Sequence, residues 1–330
     1  MKLPRRTFLH LAAGAAALPT VSRLAWAQTY PTRPITIIVP FAPGGGTDVA
    51  ARIVGEHMSR TLGQQIVVQN VAGAGGTVGS TRAMRADPDG YTIEMGQMGT
   101  HAAAVALYPN LAYKPDVDFE PIGLVSEYPM VIVARKDFPP KELEEFVGFV
   151  KANSGKLNMA HAGVGSIFFA TGLLLNSILG VKPTLVPFNG GAPAMNALVA
   201  GQVDYMCTDV LGSAPQLQSG TIKAYGIAAA ERSPALPNVP TTREAGLPEF
   251  QVSAWNALFA PKSTPKPILD KLTDALDRAL DDDNTRKRLT AIANDIPDKS
   301  RRGQRALLML VTSEIARWTP IIKAANIKAE

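Results

Sequence analysis

Cysteine is all but missing: the 330-residue sequence holds one, Cys207. A lone cysteine excludes an intramolecular disulfide in any redox compartment. It lies in the apolar, strand-like run Val203-Asp204-Tyr205-Met206-Cys207, so it reads as a buried structural thiol and not as a nucleophile. Linkers are missing too. No Ser/Gly-rich or charge-rich stretch of linker length occurs, and no segment repeats at a fixed period. Histidine is scarce, with four in the chain. His57 has no histidine or carboxylate at metal-ligand spacing beyond its neighbour Glu56, which argues against a metal site.

The first 27 residues read as an address segment. Arg5 and Arg6 form a charged start, and an apolar stretch follows from Phe8 to Leu18. That stretch is well below the ~20 residues that cross a bilayer. Ala25-Trp26-Ala27 supplies a small-x-small cleavage pattern, leaving Gln28 as the first mature residue. Arg5-Arg6-Thr7-Phe8-Leu9 also fits a twin-arginine signal, with an ordinary secretory signal as the alternative. Either way a periplasmic protein is expected. Cys207 lies far from the cleavage site and cannot carry a lipid, so no membrane anchor is expected.

Removing that segment changes the charge. It holds Lys2, Arg5, Arg6 and Arg23 and no acid, so 29 of the 33 basic groups remain against 28 acidic ones, a net of +1 instead of +5. The basic character therefore belongs to the address segment and gives no argument for nucleic acid, which is not expected as a partner.

The remaining 303 or so residues suit two domains better than one core. Short apolar β runs alternate with amphipathic helices, the pattern of α/β architecture with mainly parallel sheets. Strands are predicted at 35–39, 66–68, 91–95, 130–134, 157–160, 184–187, 203–207, 223–228 and 255–260. The last part is helical, near 267–281, 285–294 and 304–325. Without a linker, the chain must cross between domains along strands, near 127–128 and 251–253. Domain 1 is then 28–127 plus 254–330, and domain 2 is 128–253.

Four of the strands run into glycine-bearing turns that open helices, at residues 44–48, 73–77, 163–166 and 190–192. Glycine permits φ > 0 and close approach of a ligand. A helix N-terminus offers unpaired N–H groups and a positive dipole end, which binds an anion without lysine or arginine. Phosphate is the obvious anion, but no glycine run here is followed by the lysine of a Walker loop. Gly73-x-Gly75-Gly76 has Val78 where a dinucleotide fingerprint needs its third glycine. No cofactor is expected.

These loops carry a family resemblance. The segments 30–35 and Val39-Pro40-Phe41-Ala42-Pro43-Gly44-Gly45-Gly46-Thr47-Asp48 resemble the opening of the extracytoplasmic receptors of tripartite tricarboxylate transporters, the Bug family. The likeness continues through Asn70-Val71-Ala72-Gly73-Ala74-Gly75-Gly76, Asp87-Pro88-Asp89-Gly90-Tyr91-Thr92, Thr100-His101, Asp118-Phe119-Glu120-Pro121-Ile122 and 187–194. It closes with 237–242 and 244–248. The resemblance implies a type II periplasmic-binding-protein fold, two α/β domains with the ligand in the cleft between them. It implies transport reception: an organic acid captured and passed to membrane subunits, by a protein that neither spans the membrane nor catalyses a reaction and acts as a monomer. Backbone amides would hold the acid. Phe41, Gly45, Gly46, Thr47 and Asp48 would form the first wall, and Ala162, Gly163, Val164, Gly165 and Ser166 the second. Thr100, His101, His161, Phe188, Gly190 and Asp209 would complete the pocket.

The sequence departs from the family at His161 and at Phe168-Phe169, where small or polar residues are common, and at Asn189, where lysine is frequent. A more apolar wall with one fewer cation favours a larger ligand body, a monocarboxylate or aromatic acid in place of a dicarboxylate. Ser166, His161 and Asp209 spell a triad on paper, but Gly163-Val164-Gly165-Ser166-Ile167 lacks the register of a nucleophile elbow. Asp48 and Asp209 can each cap a helix or select a ligand amino group. Bulky substitution at Gly45 or Gly165 is expected to harm binding most. A two-component sensor and a hydrolase on the same cleft are the rival readings.

Overall fold

The computed structural model describes residues 30–324; the address segment and its cleavage point lie outside the described residues. The residues from Arg33 onward form the compact unit that carries the whole architecture below.

The first half is built on parallel pairing. Strand β1 (Ile35–Val39) is buried along nearly its whole length and pairs with β2 (Ile66–Asn70) on one side and β3 (Thr92–Gln97) on the other. Between β1 and β2 runs α1 (Gly46–Leu62), which buries Ile53, Val54, Met58 and Leu62 and ends at Gly63 in the left-handed conformation. Between β2 and β3 lies α2 (Thr77–Met84). After β3 a π-helical turn, Gly99–Ala103, leads into the short α3 (Ala104–Leu107).

The sequence reads only 130–134 as strand, but the structure has one 17-residue strand, β4 (Phe119–Arg135). Pro121, Gly123 and Pro129 hide its first part from a pattern search. Up to Pro129, β4 pairs antiparallel with a late strand; from Met130 it pairs with two others. A single strand thus serves both sheets.

The second half repeats the strand–turn–helix grammar. Helix α4 (Leu143–Asn153) leads to β5 (Asn158–His161), then α5 (Ile167–Leu179), β6 (Thr184–Pro187), α6 (Gly191–Val199) and β7 (Tyr205–Asp209). Strand β5 is parallel to both β6 and β7. The sequence reading assigns no helix after β7, although Asp209 can cap one; Gly212 and Pro215 weaken the helical pattern there. The structure has α7 there (Val210–Gln218), followed by β8 (Ile222–Ile227). Strand β7 and β8 flank the second part of β4, burying Cys207 beside Ile132.

The chain then returns through β9 (Ser253–Pro261), which lies between β3 and the first part of β4. Helices α8 (Lys266–Asp281), α9 (Asp283–Ala291) and α10 (Gln304–Ala324) follow. In α8 the residues Leu269, Leu272, Leu276 and Leu280 recur at helical spacing and are all buried. Among the described residues no helix is long and apolar enough to cross a membrane.

Candidate ligand-binding site

Four helix N-termini converge on one cavity of about 350 Å³. Its wall includes residues 44–48 at the start of α1, 166–168 at the start of α5, 190–193 at the start of α6, and Thr208, Asp209, Leu211 and Gly212 at the start of α7. Each such terminus carries unpaired N–H groups and about half a positive charge. Among the described residues no lysine or arginine lines the cavity, so the backbone supplies its positive potential.

The four ends differ in how they are finished. Helices α1 and α6 begin after Gly45 and Gly190 with no side-chain cap, leaving their first-turn amides to a ligand. The α5 end is capped by Ser166, whose Oγ accepts from the Phe169 amide at 3.2 Å while donating to the Gly163 carbonyl at 2.7 Å. The α7 end is capped by Asp209, whose Oδ1 accepts from the Gly212 amide at 2.7 Å. Its other oxygen faces the opposite wall: a Cβ on Gly46 would lie 3.2 Å from Asp209 Oδ2. Burial raises the Asp209 pKa against the effect of the Gly212 amide, because the cavity wall solvates its charge poorly.

Asp48 is differently engaged. Its carboxylate accepts from the Gly44 amide at 2.9 Å, from Asn70 Nδ2 at 2.9 Å and from Arg52 Nη2 at 2.9 Å. Burial opposes its ionisation, but these bonds, led by Arg52, outweigh burial and lower its pKa. The side chain pins the glycine loop, and Gly44 in that loop has φ +85°, which suits glycine alone. Gly45 is less constrained than the sequence suggests: its φ is −77°, and a Cβ would meet only the Ala42 carbonyl at 3.8 Å.

Of the sequence-predicted residues, Phe41, Gly45, Gly46, Thr47, Asp48, Ala162, Ser166, Gly190 and Asp209 line this cavity. Gly163, Val164, Gly165 and Phe188 stand outside its wall. Gly163 and Gly165 have φ +100° and +90° and shape the turn that delivers Ser166 to it. Thr100 and His101 turn inward. Thr100 Oγ1 lies 3.0 Å from His101 Nδ1, and the His101 ring stacks on Phe259 at 3.9 Å, fully buried. His161 packs on Phe169, with ring centroids 4.7 Å apart, and burial pushes its pKa down to about 4. With Ser166 committed as a cap, the paper triad of Ser166, His161 and Asp209 has no hydrogen bond joining it among the described residues.

The sequence reading missed Gln97 and Tyr128, which also line the cavity. Both sit where a strand ends or changes partners, the edge of an α/β sheet where ligands gather. Gln97 Nε2 makes a long bond of 3.5 Å to Thr47 Oγ1, which donates to Asn256 Oδ1 at 3.0 Å.

The glycine loop before α2 does not line the cavity; it touches the second half directly. Tyr108 ties it there, its hydroxyl lying 2.8 Å from the Ala74 carbonyl oxygen and 2.6 Å from that of Val164. Burial pushes the Tyr108 pKa up to about 12, so the hydroxyl stays protonated as a donor.

Two α/β domains that share crossing strands and meet over an anion-binding cleft define a type II periplasmic binding protein. Residues 50–327 match the family described as tripartite tricarboxylate transporter family receptor, and the chain belongs to that family. MatC from Rhodopseudomonas palustris with bound malate is 52% identical, with a TM-score of 0.85 over 89% of this chain and 100% of that one. The periplasmic binding protein BugD is 41% identical, again with a TM-score of 0.85, over 91% of this chain and 100% of its own. An Agrobacterium vitis relative, described as a UPF0065 protein in the TAR-I ttuE-ttuC' intergenic region, is 41% identical over 94% of this chain and 91% of its own.

Proposed function

We propose that the protein is the extracytoplasmic receptor that captures a small organic carboxylate and delivers it to the membrane subunits of a tripartite tricarboxylate-type transporter. The observation that carries this reading is the convergence of four helix N-termini on a cavity lined, among the described residues, by no lysine or arginine. That arrangement stabilises a carboxylate through backbone amides without offering the lysine or metal that phosphate chemistry uses. The malate bound to MatC, at 52% identity, supports the same class of ligand.

In this reading the acid lies between the α1 and α6 amides. Phe41, Gly45, Gly46 and Thr47 flank it from one side, and Ala162, Ser166, Gly190 and Asp209 from the other. The domains divide as 28–127 plus 254–330 and 128–253, supported by the change of β4 partners between Pro129 and Met130. The protein reaches the periplasm after cleavage behind Ala27 and acts there as a monomer. It performs no reaction on the acid: Ser166 is spent on capping α5, and His161 lacks a base partner among the described residues. Native mass spectrometry of the purified protein should find an unaltered organic acid bound. A converted product would contradict the reading.

A further inference from the structure

Four glycine-bearing loops form one surface band that closes on itself and crosses between the halves twice. In the first half, Asn70 Nδ2 donates to the Phe41 carbonyl at 3.0 Å, and a Cβ on Gly76 would lie 2.9 Å from the Phe41 ring, so the loops before α1 and α2 adjoin. Ala42 then faces the second half, 4.0 Å from the place of a Cβ on Gly190. Within the second half, a Cβ on Gly163 would lie 3.5 Å from the Phe188 carbonyl oxygen. From there Gly163 and Val164 return to Gly75 in the first half, where the Tyr108 hydroxyl lies between the carbonyls of Ala74 and Val164. Pro43, Gly45 and Pro193 are exposed and also line the cavity, so the band borders its mouth.

The band carries no charge. Charged residues make up 18% of the chain, yet segments 34–47, 61–81, 157–181 and 183–203, which hold all four loops, contain no Lys, Arg, Asp or Glu. Ligand contact does not account for this at Ala72, Val78 and Asn189, which are exposed and stand outside the cavity wall. Val78 is apolar and 48% exposed. Arg52, in the helix that follows the first loop, is neutralised by Asp48 at 2.9 Å. Exposed surface is where charged side chains normally gather, and the cores of protein–protein contacts are where they are depleted. Exposed apolar side chains and open glycine backbone offer such a contact dispersion and hydrogen bonds, with no charge to desolvate.

We propose that this band is the seat on which the transporter's membrane subunits dock, through apolar and backbone contacts without an ion pair. The proposal rests on the transport reading above. Both halves contribute to the band, so it exists as one surface only when they meet over the cavity, and a partner seated on it receives a closed receptor. The band also borders the mouth, so the acid can leave directly into that partner. A second copy of this chain on the same seat would seal the mouth instead.

The test is photo-cross-linking in cells of the protein's own host, with the full chain expressed from its own locus. The photoreactive residue p-benzoylphenylalanine is placed at Val78, at Asn189 or at Met309, which is 62% exposed on α10 and outside the band. Val78 and Asn189 are expected to give adducts with a polytopic subunit of the transporter, and Met309 none. Raising the salt from about 0.01 M to about 0.15 M shortens the screening length from about 30 Å to about 8 Å, and should change the yield by less than about twofold. Asn189→Glu should lower the Val78 adduct about tenfold, because it places an unpaired charge in the contact, while leaving the melting temperature unchanged. Transporter adducts absent from both band positions overturn the proposal and leave the transport reading standing. So does a fall of about tenfold with salt, an undiminished adduct in Asn189→Glu, or band adducts with a second copy alone. Band adducts with a sensor kinase overturn the proposal and the transport reading together.

Discussion

Gly75 presses so closely on Val164 that a Cβ on Gly75 would lie 1.8 Å from the Val164 carbonyl oxygen. The first residue belongs to the loop before α2 and the second to the loop before α5, so the contact joins the two halves directly. With φ +61° at Gly75, the backbone there also suits glycine.

Gly75→Ala should therefore prop the halves apart. Closure would cost on the order of 1–2 kcal/mol more, weakening ligand binding by about tenfold or more. Titration calorimetry checks the affinity, and an unchanged melting temperature of the ligand-free protein separates the effect from misfolding. Tyr108→Phe, which removes only the hydroxyl bridging Ala74 and Val164, should act in the same direction and more weakly.

At the cavity itself, Ser166→Ala should cost about 1 kcal/mol of stability through the lost α5 cap. Binding should fall only modestly, because the backbone amides remain. Gly165→Ala should be worse: its φ is +90°, and a Cβ would come within 2.8 Å of the Tyr108 ring. Gly45→Ala should be nearly neutral. Thermal melts and titrations of the three variants give the order.

Much of this site was legible in the sequence, because glycine before a helix is a local signal. The turns at residues 44–46 and 190–191 both reach the cavity. What was hidden depends on partners distant in the chain. Thr100 and His101 follow a strand as site residues do, yet the aromatic cluster of Tyr113, Phe119 and Phe259 draws the His101 ring inward. The fourth helix end was offered only as a capping role for Asp209, because Gly212 and Pro215 obscure the helix that follows. Gln97 acquires its meaning only from Thr47 and Asn256, and no spacing in the sequence encodes that chain.

Asp209→Asn should strengthen the binding of diacids several-fold. It keeps an α7 cap while removing a negative charge from the cavity wall. Since burial raises the pKa of the native carboxyl, lowering the pH should strengthen anion binding in wild type and have little effect in the variant. Titrations at two pH values decide it.

A second pH effect concerns stability. Glu94 and His101 are both buried, with Oε2 and Nε2 3.8 Å apart and neither atom hydrogen-bonded. Burial pushes the Glu94 pKa up to about 8 from a usual 4.5, against the bond from Ser80, and pushes that of His101 down to about 3 from 6.5. Between pH 4.5 and 8 the folded state keeps a Glu94 proton that the unfolded chain has lost, so this group's stability contribution falls as pH rises. Between 3 and 6.5 the unfolded chain binds a His101 proton that the folded state refuses, so stability rises with pH. The two oppose each other at mid-range, and only the Glu94 loss remains above 6.5. Urea unfolding should show wild type losing on the order of 2 kcal/mol from pH 6.5 to 8, and Glu94→Gln should lose little.

The most direct test of backbone-held carboxylate capture compares the melting temperature of the mature protein with malate and with its uncharged diamide, each in large excess. A ligand at about a hundred times its Kd adds about 2.7 kcal/mol to the folded state. Four helix N-termini without a facing cation predict a rise of several degrees with the diacid and none with the diamide. An equal rise with the diamide, or no rise with malate or any other organic acid, would contradict it.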